Sequence, residues 1–146
     1  MPRITLNHIA IAVPDMQAAL KFYRDALGLE LHGMRDVDAE GVRIAFLPFD
    51  SDAARKHPPQ LELVQPTREG TGIARWMARN TQGLHHICVE VDDIHAAMAR
   101  AIRHGAQLIN ATPARHPDGT LYAFIHPKSA FGVLVELYQK TVASSQ

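Results

Sequence analysis

Two stretches of the chain alternate apolar and polar positions and then change period. Residues 8–20 read HIAIAVPDMQAAL, with Ile9, Ile11 and Val13 on one side of an extended strand and His8, Ala10 and Ala12 on the other. Residues 86–98 read HICVEVDDIHAAM, with Ile87, Val89 and Val91 opposing His86, Cys88 and Glu90. The segments are identical at six of thirteen positions: His8/His86, Ile9/Ile87, Val13/Val91, Asp15/Asp93, Ala18/Ala96 and Ala19/Ala97. A repeat of this kind constrains architecture more tightly than local propensity does.

Each predicted strand leads into a predicted one-sided helix. Asp15 and Asp93 are placed as N-caps, and Gly28 and Gly105 as terminators. The apolar stripes are Met16, Leu20, Tyr23 and Leu27 in the first copy, and Ile94, Met98, Ala101 and Ile102 in the second. Three further strand-like runs follow in each half: Leu29–His32, Val42–Phe49 and Leu61–Val64, then Gln107–Asn110, Leu121–His126 and Val133–Tyr138. Ile73, Trp76 and Met77 sit at helical spacing between the halves.

The pattern therefore predicts an α+β fold. One domain over 1–146 holds two βαβββ modules, about 4–66 and 83–140, joined by a connecting helix near 71–80. The modules are expected to form a curled mixed sheet around a cavity, with the helices outside. Ser51–Pro59 reads as an irregular excursion between strands.

Composition narrows the function classes. The 146 residues carry 15 Lys plus Arg against 15 Asp plus Glu, with no cationic run, which argues against a nucleic-acid or anionic-membrane partner. Hydrophobic residues make up 47% of the chain, and a domain of this size can bury roughly two-thirds of its unfolded surface without a structural metal. No apolar run approaches the ~20 residues of a membrane span. The single cysteine, Cys88, and the absence of a secretory apolar segment after Met1 point to a reducing, cytoplasmic setting.

The candidate chemistry lies in the polar positions of the repeat. Glu62 and Glu136 interrupt apolar last strands, and a carboxylate there is costly unless paired or bound to a cation. With His8 and His86 they make a set of two nitrogen and two oxygen donors, suited to divalent Mn, Fe, Co, Ni or Zn. Any one of these residues alone reads as an ordinary histidine or a solvated carboxylate. Four of them at matching places in two modules argue for a metal with open coordination positions, hence a catalytic one. Ala10 and Ala12 would leave room above the ion. His85, on the opposite face from His86, and Glu90 read as bystanders, and Cys88 as a packing residue. Gly70-Thr71-Gly72 lacks the third glycine and the preceding strand of a dinucleotide fingerprint, and no phosphate-binding loop or nucleophile elbow is present.

These residues resemble the vicinal oxygen chelate (glyoxalase/bleomycin resistance/dioxygenase) superfamily, and within it the methylmalonyl-CoA epimerase family. The resemblance runs from Asn7–Val13 to Gly132–Leu137. Its distinctive pieces are Gln65-Pro66-Thr67 with Ile73–Trp76, Gly83–Ile87, and Phe124–Ser129. It implies one divalent ion (Co, Mn, Ni or Zn) held by His8, Glu62, His86 and Glu136, an acyl-CoA substrate and a homodimer. It also implies a substrate-binding role for Lys128 in the His126-Pro127-Lys128 segment. Two departures stand out. Many epimerases carry Gln where this chain has Glu62, a carboxylate also seen in lactoylglutathione lyases. Several carry a catalytic Glu where Glu40-Gly41-Val42-Arg43-Ile44 places Ile44. Glu136 and Glu62 are accordingly the expected catalytic acid and base. A lactoylglutathione lyase and a metal-free binding or resistance protein of the same fold stay open as alternatives.

Overall fold

The computed structural model describes residues 3–50 and 57–141. The chain divides into two compact units, one running from His8 to His85 and the other joining the residues before His8 to those after His85. Of the expected excursion Ser51–Pro59, residues 51–56 lie outside the described residues, and 57–59 form no strand.

In the first unit, β1 (Ile4–Ala12, from His8 onward), β2 (Gly33–Val37), β3 (Val42–Pro48) and β4 (Gln60–Pro66) lie in the order β2-β3-β4-β1. β4 runs parallel to β1, and the other pairs are antiparallel. One face carries Ile9 and Ile11 against a core of Val13, Met16, Leu20, Ala45, Leu47, Leu61 and Leu63. α1 (Met16–Leu20) covers this face because its buried residues, Met16 and Leu20, are one helical turn apart. Asp15 caps it as expected, accepting from the Gln17 and Ala18 N–H groups at 3.0 and 3.2 Å.

Beyond Leu20 the helix widens into a π-helical stretch over Lys21–Ala26, with the Leu27 N–H donating to the Phe22 carbonyl at 2.8 Å. The widened turn rotates Leu27 outward, where it is 57% exposed instead of completing the apolar stripe. Gly28 then reverses the chain at φ +98°.

The second strand is a correction. Leu29–His32 is not a strand; Leu29 and Leu31 pack onto the core as a return loop, and β2 starts at Gly33. Their alternation reflects burial by packing rather than ladder pairing. α2 (Gly72–Asn80) coincides with the expected connecting helix and is capped by Thr71, whose Oγ1 accepts the Ala74 N–H at 3.1 Å.

In the second unit, β5 (Gly83–Val91, from His86 onward), β6 (Ala114–Arg115), β7 (Leu121–Ile125) and β8 (Leu134–Gln139) lie in the order β5-β8-β7-β6, with β8 parallel to β5. α3 (Ile94–Arg103) buries Ile94 and Met98 against Val91, Ala123 and Leu137, while Ile102 faces solvent. Gln107–Asn110 is the other correction. A single bridge, Leu108 to Ile125, forms there, made by the Ile109 N–H donating to the Phe124 carbonyl and the His126 N–H to the Gln107 carbonyl, each at 2.8 Å. Beyond it side chains take over, Asn110 Oδ1 accepting the Phe124 N–H and Ser129 Oγ the Gln107 N–H, each at 2.8 Å. The second module's short strand is β6 instead. The fold is α+β, with βαβββ order in each half.

Candidate metal centre

His8 enters the site from the middle of β1, where it is 6% exposed. It stands opposite Gln60 in the parallel ladder, and Glu62, two residues further along β4, shares its face. His8 Nδ1 and Glu62 Oε2 are 3.3 Å apart. Burial pushes the imidazole down to about 4 and the carboxyl up to about 7. The charge of Arg35 partly offsets the rise at Glu62, and that of Glu40 adds to it. The imidazole is thus neutral near pH 7 and keeps a lone pair for a cation. The carboxyl gives up its proton at a pH that a nearby dication would lower further.

The other module repeats the arrangement. His86 Nε2 and Glu136 Oε1 are 3.6 Å apart, and Glu136 is 7% exposed. That separation exceeds an ordinary hydrogen bond. Two donors on one ion, each bonded at about 2.0–2.2 Å, stand roughly 3–3.5 Å apart. The 3.3 Å pair falls within that spacing and the 3.6 Å pair lies about 0.1 Å beyond it, so their donor chemistry and geometry fit divalent-ion ligands.

The remaining sequence candidates sort differently. His85 packs edge-on against Trp76 with ring centroids 5.0 Å apart, and burial lowers its pKa. Glu90 accepts from Asn7 Nδ2 at 2.8 Å and pairs with Lys140 Nζ at 2.9 Å. Cys88 is fully buried opposite Glu136. Ala10 is fully buried in an apolar cluster with Val42 and Val64, against which Ile44 and Ile73 pack. Ile44 thus serves this apolar cluster. Lys128 lies exposed on the 3₁₀ turn Pro127–Ala130, whose start is fixed by the Lys128 N–H donating to His126 Nδ1 at 3.0 Å.

Pattern reading missed two aromatic neighbours of the carboxylates. Phe46 stands directly opposite Glu62 on β3, and Phe124 directly opposite Glu136 on β7. Only the strand register reveals them, because each is one apolar residue among several in its strand.

Comparison with known proteins identifies the family. A family model described as the Glyoxalase/Bleomycin resistance protein/Dioxygenase superfamily matches residues 7–124. The ethylmalonyl-CoA/methylmalonyl-CoA epimerase of Cereibacter sphaeroides is 40% identical over 136 residues, covering 92% of this chain and 96% of that protein. The mitochondrial methylmalonyl-CoA epimerase of Homo sapiens is 34% identical over 135 residues, covering 92% of this chain and 73% of that protein. A variant of Streptomyces coelicolor methylmalonyl-CoA epimerase, solved in complex with 2-nitronate-propionyl-CoA, superposes with a TM-score of 0.76 at 33% identity, covering 94% of this chain and 97% of that one. This chain belongs to the glyoxalase/bleomycin resistance protein/dioxygenase superfamily, among its methylmalonyl-CoA epimerases.

Proposed function

We propose that the protein is a divalent-metal-dependent epimerase that interconverts the stereoisomers of methylmalonyl-CoA. The observation that carries this reading is the pairing of a histidine with a glutamate at equivalent places in two modules, His8 with Glu62 and His86 with Glu136, one member of each pair buried and the other half-buried. Likeness to epimerases along nine-tenths of the chain supports the choice of reaction. The four residues would together hold one ion. When bound, that ion supplies positive charge against which the negative charge of a deprotonated thioester develops, worth several kcal/mol in similar chemistry.

The chain's own residues carry the proton. Epimerisation removes the hydrogen between the thioester and carboxylate carbons and returns one to the opposite face of a planar carbanion. Two proton-transfer groups are therefore needed. Glu62 and Glu136, one from each module, fill those roles, and the absence of a carboxylate at Ile44 leaves them as the expected pair. Burial raises the Glu62 carboxyl to about 7 in the metal-free protein, and a bound ion would draw it back down, leaving a carboxylate that can accept a proton. His8, held neutral by burial, adds no competing proton. Lys128 adds a solvent-exposed positive charge for an anionic substrate. The protein is proposed to act in the cytoplasm as a homodimer; no helix among the described residues is long and apolar enough to cross a membrane.

The test is exchange of the α-hydrogen of methylmalonyl-CoA with deuterated solvent, followed with the metal content of the same preparation. Metal-dependent exchange and racemisation are expected. No exchange, combined with turnover of a glutathione hemithioacetal, would transfer the protein to the lyase chemistry of the same superfamily.

A further inference from the structure

A positive charge stands beside Glu62, and among the described residues its donors are unspent. Arg35 lies in β2 opposite Ile44, which is opposite Val64; two residues along β3 and β4, Phe46 is opposite Glu62. Side chains two apart on a strand share a face, so Arg35, Phe46 and Glu62 all stand on the same side of this unit's sheet. The Arg35 guanidinium carbon lies 5.3 Å from the centroid of the Phe46 ring. A cation over that ring is drawn along the strand toward the immediate neighbour of Glu62.

Among the described residues, Arg35 donates no hydrogen bond and has no carboxylate within ion-pair distance. Arg43, on the opposite face, is closed onto Asp36 by two bonds of 2.7 and 3.1 Å, and Arg24 is closed onto Asp25 at 2.8 Å. Arg35 keeps its fork open. The second module makes the contrast sharper. Phe124 is opposite Glu136 there, and Tyr122 opposite Tyr138, but Ala114 occupies the place that Arg35 holds in the first. Aromatic rings fill that region, with His116 stacked on Tyr122 at 4.1 Å. The open guanidinium therefore belongs to one module only.

We propose that Arg35 binds the carboxylate of the malonyl-type substrate and sets the preference for acyl-CoA esters that carry one. This rests on the epimerase reading above. A guanidinium presents two parallel N–H donors that match a carboxylate, and the Phe46 ring holds its plane in place before substrate arrives. The substrate is itself asymmetric, with a carboxylate on one side of the reacting carbon and a thioester on the other. A cation confined to one module is the complementary asymmetry.

The test is calorimetric binding of methylmalonyl-CoA and of propionyl-CoA, which lacks the carboxylate, to the metal-loaded wild type and to the Arg35→Ala, Arg35→Gln and Arg35→Lys proteins. The wild type is expected to favour methylmalonyl-CoA. Arg35→Ala and Arg35→Gln are expected to reduce that preference by about 10-fold or more while propionyl-CoA affinity stays within about twofold, with Arg35→Lys intermediate. Equal weakening of both ligands would assign Arg35 to the CoA phosphates and overturn the proposal. An unchanged preference would also overturn it. A wild type that discriminates through Arg35 but exchanges no α-hydrogen would refute the epimerase reading alone, whereas exchange with an unchanged preference would refute the Arg35 assignment alone.

Discussion

Gln65 reaches from the end of β4 to the first turn of α1, where its Oε1 accepts the Met16 N–H at 2.6 Å. Gln139, at the end of β8, does the same for the Ile94 N–H at 2.7 Å. Asp15 serves the Gln17 and Ala18 N–H groups and Asp93 that of Ala96, so these glutamines take the first helical N–H, which neither aspartate reaches. Gln65→Ala and Gln139→Ala should each destabilise the fold by about 1 kcal/mol, and the double variant by nearly the sum. Denaturant titration checks this; a shift of less than about 0.3 kcal/mol in either protein would show that water replaces the glutamine without loss.

Glu62→Gln should retain the metal, because an amide oxygen can still coordinate, yet lose proton transfer on one face of the substrate. Solvent deuterium should then enter one stereoisomer of methylmalonyl-CoA at least about 100-fold more slowly than the other. Equal rates for both would remove Glu62 as a proton carrier. Glu136→Ala should lose metal as well as exchange.

Metal binding should depend on pH through Glu62. In the metal-free protein its carboxyl titrates at about 7, raised from 4.5, and the His8 imidazole at about 4, lowered from 6.5. The raised carboxyl lowers folding stability as pH climbs from 4.5 to about 7, and the depressed imidazole lowers it as pH falls from 6.5 to about 4. Between 4.5 and 6.5 the folded and unfolded pair hold the same number of protons, so their slopes cancel there. An arriving cation must expel the Glu62 proton below pH 7. Affinity should fall about tenfold per pH unit, and calorimetry in buffers of different ionisation enthalpy should record close to one proton released at pH 6.

Gly41 should not tolerate a side chain. Its φ is +66°, and an added Cβ would strike Thr71 Cγ2 and come within 2.9 Å of the Arg68 guanidinium. Gly41→Ala should cost about 1–3 kcal/mol, measurable as a lower thermal midpoint. Because Thr71 caps α2, the same variant should also fray that helix, seen as faster amide exchange at Ala74.

Much of this molecule was legible in its sequence, wherever period and repeat point the same way. Asp15 and Asp93 cap where expected, Gly72–Asn80 is helical, and His8, Glu62, His86 and Glu136 fall into two close pairs. Legibility failed where a residue serves a different partner from the one its pattern implies. Leu29 and Leu31 alternate like a strand but fill the core from a loop, while the actual strand, Gly33–Val37, is largely exposed and carries no apolar alternation to read. Leu27 continues the helical stripe on paper, but the π-helical turn swings it outward. Gln65, Phe46 and Arg35 acquire their roles only through register and cross-strand reach, which no local window of sequence contains.

Cys88 has a practical consequence. It is the only thiol in the chain, has no exposed surface, and lies in the ladder directly opposite Glu136. An alkylating reagent can reach it only when that strand pair parts, so its labelling rate clocks the opening of one wall of the candidate metal centre without any engineered probe.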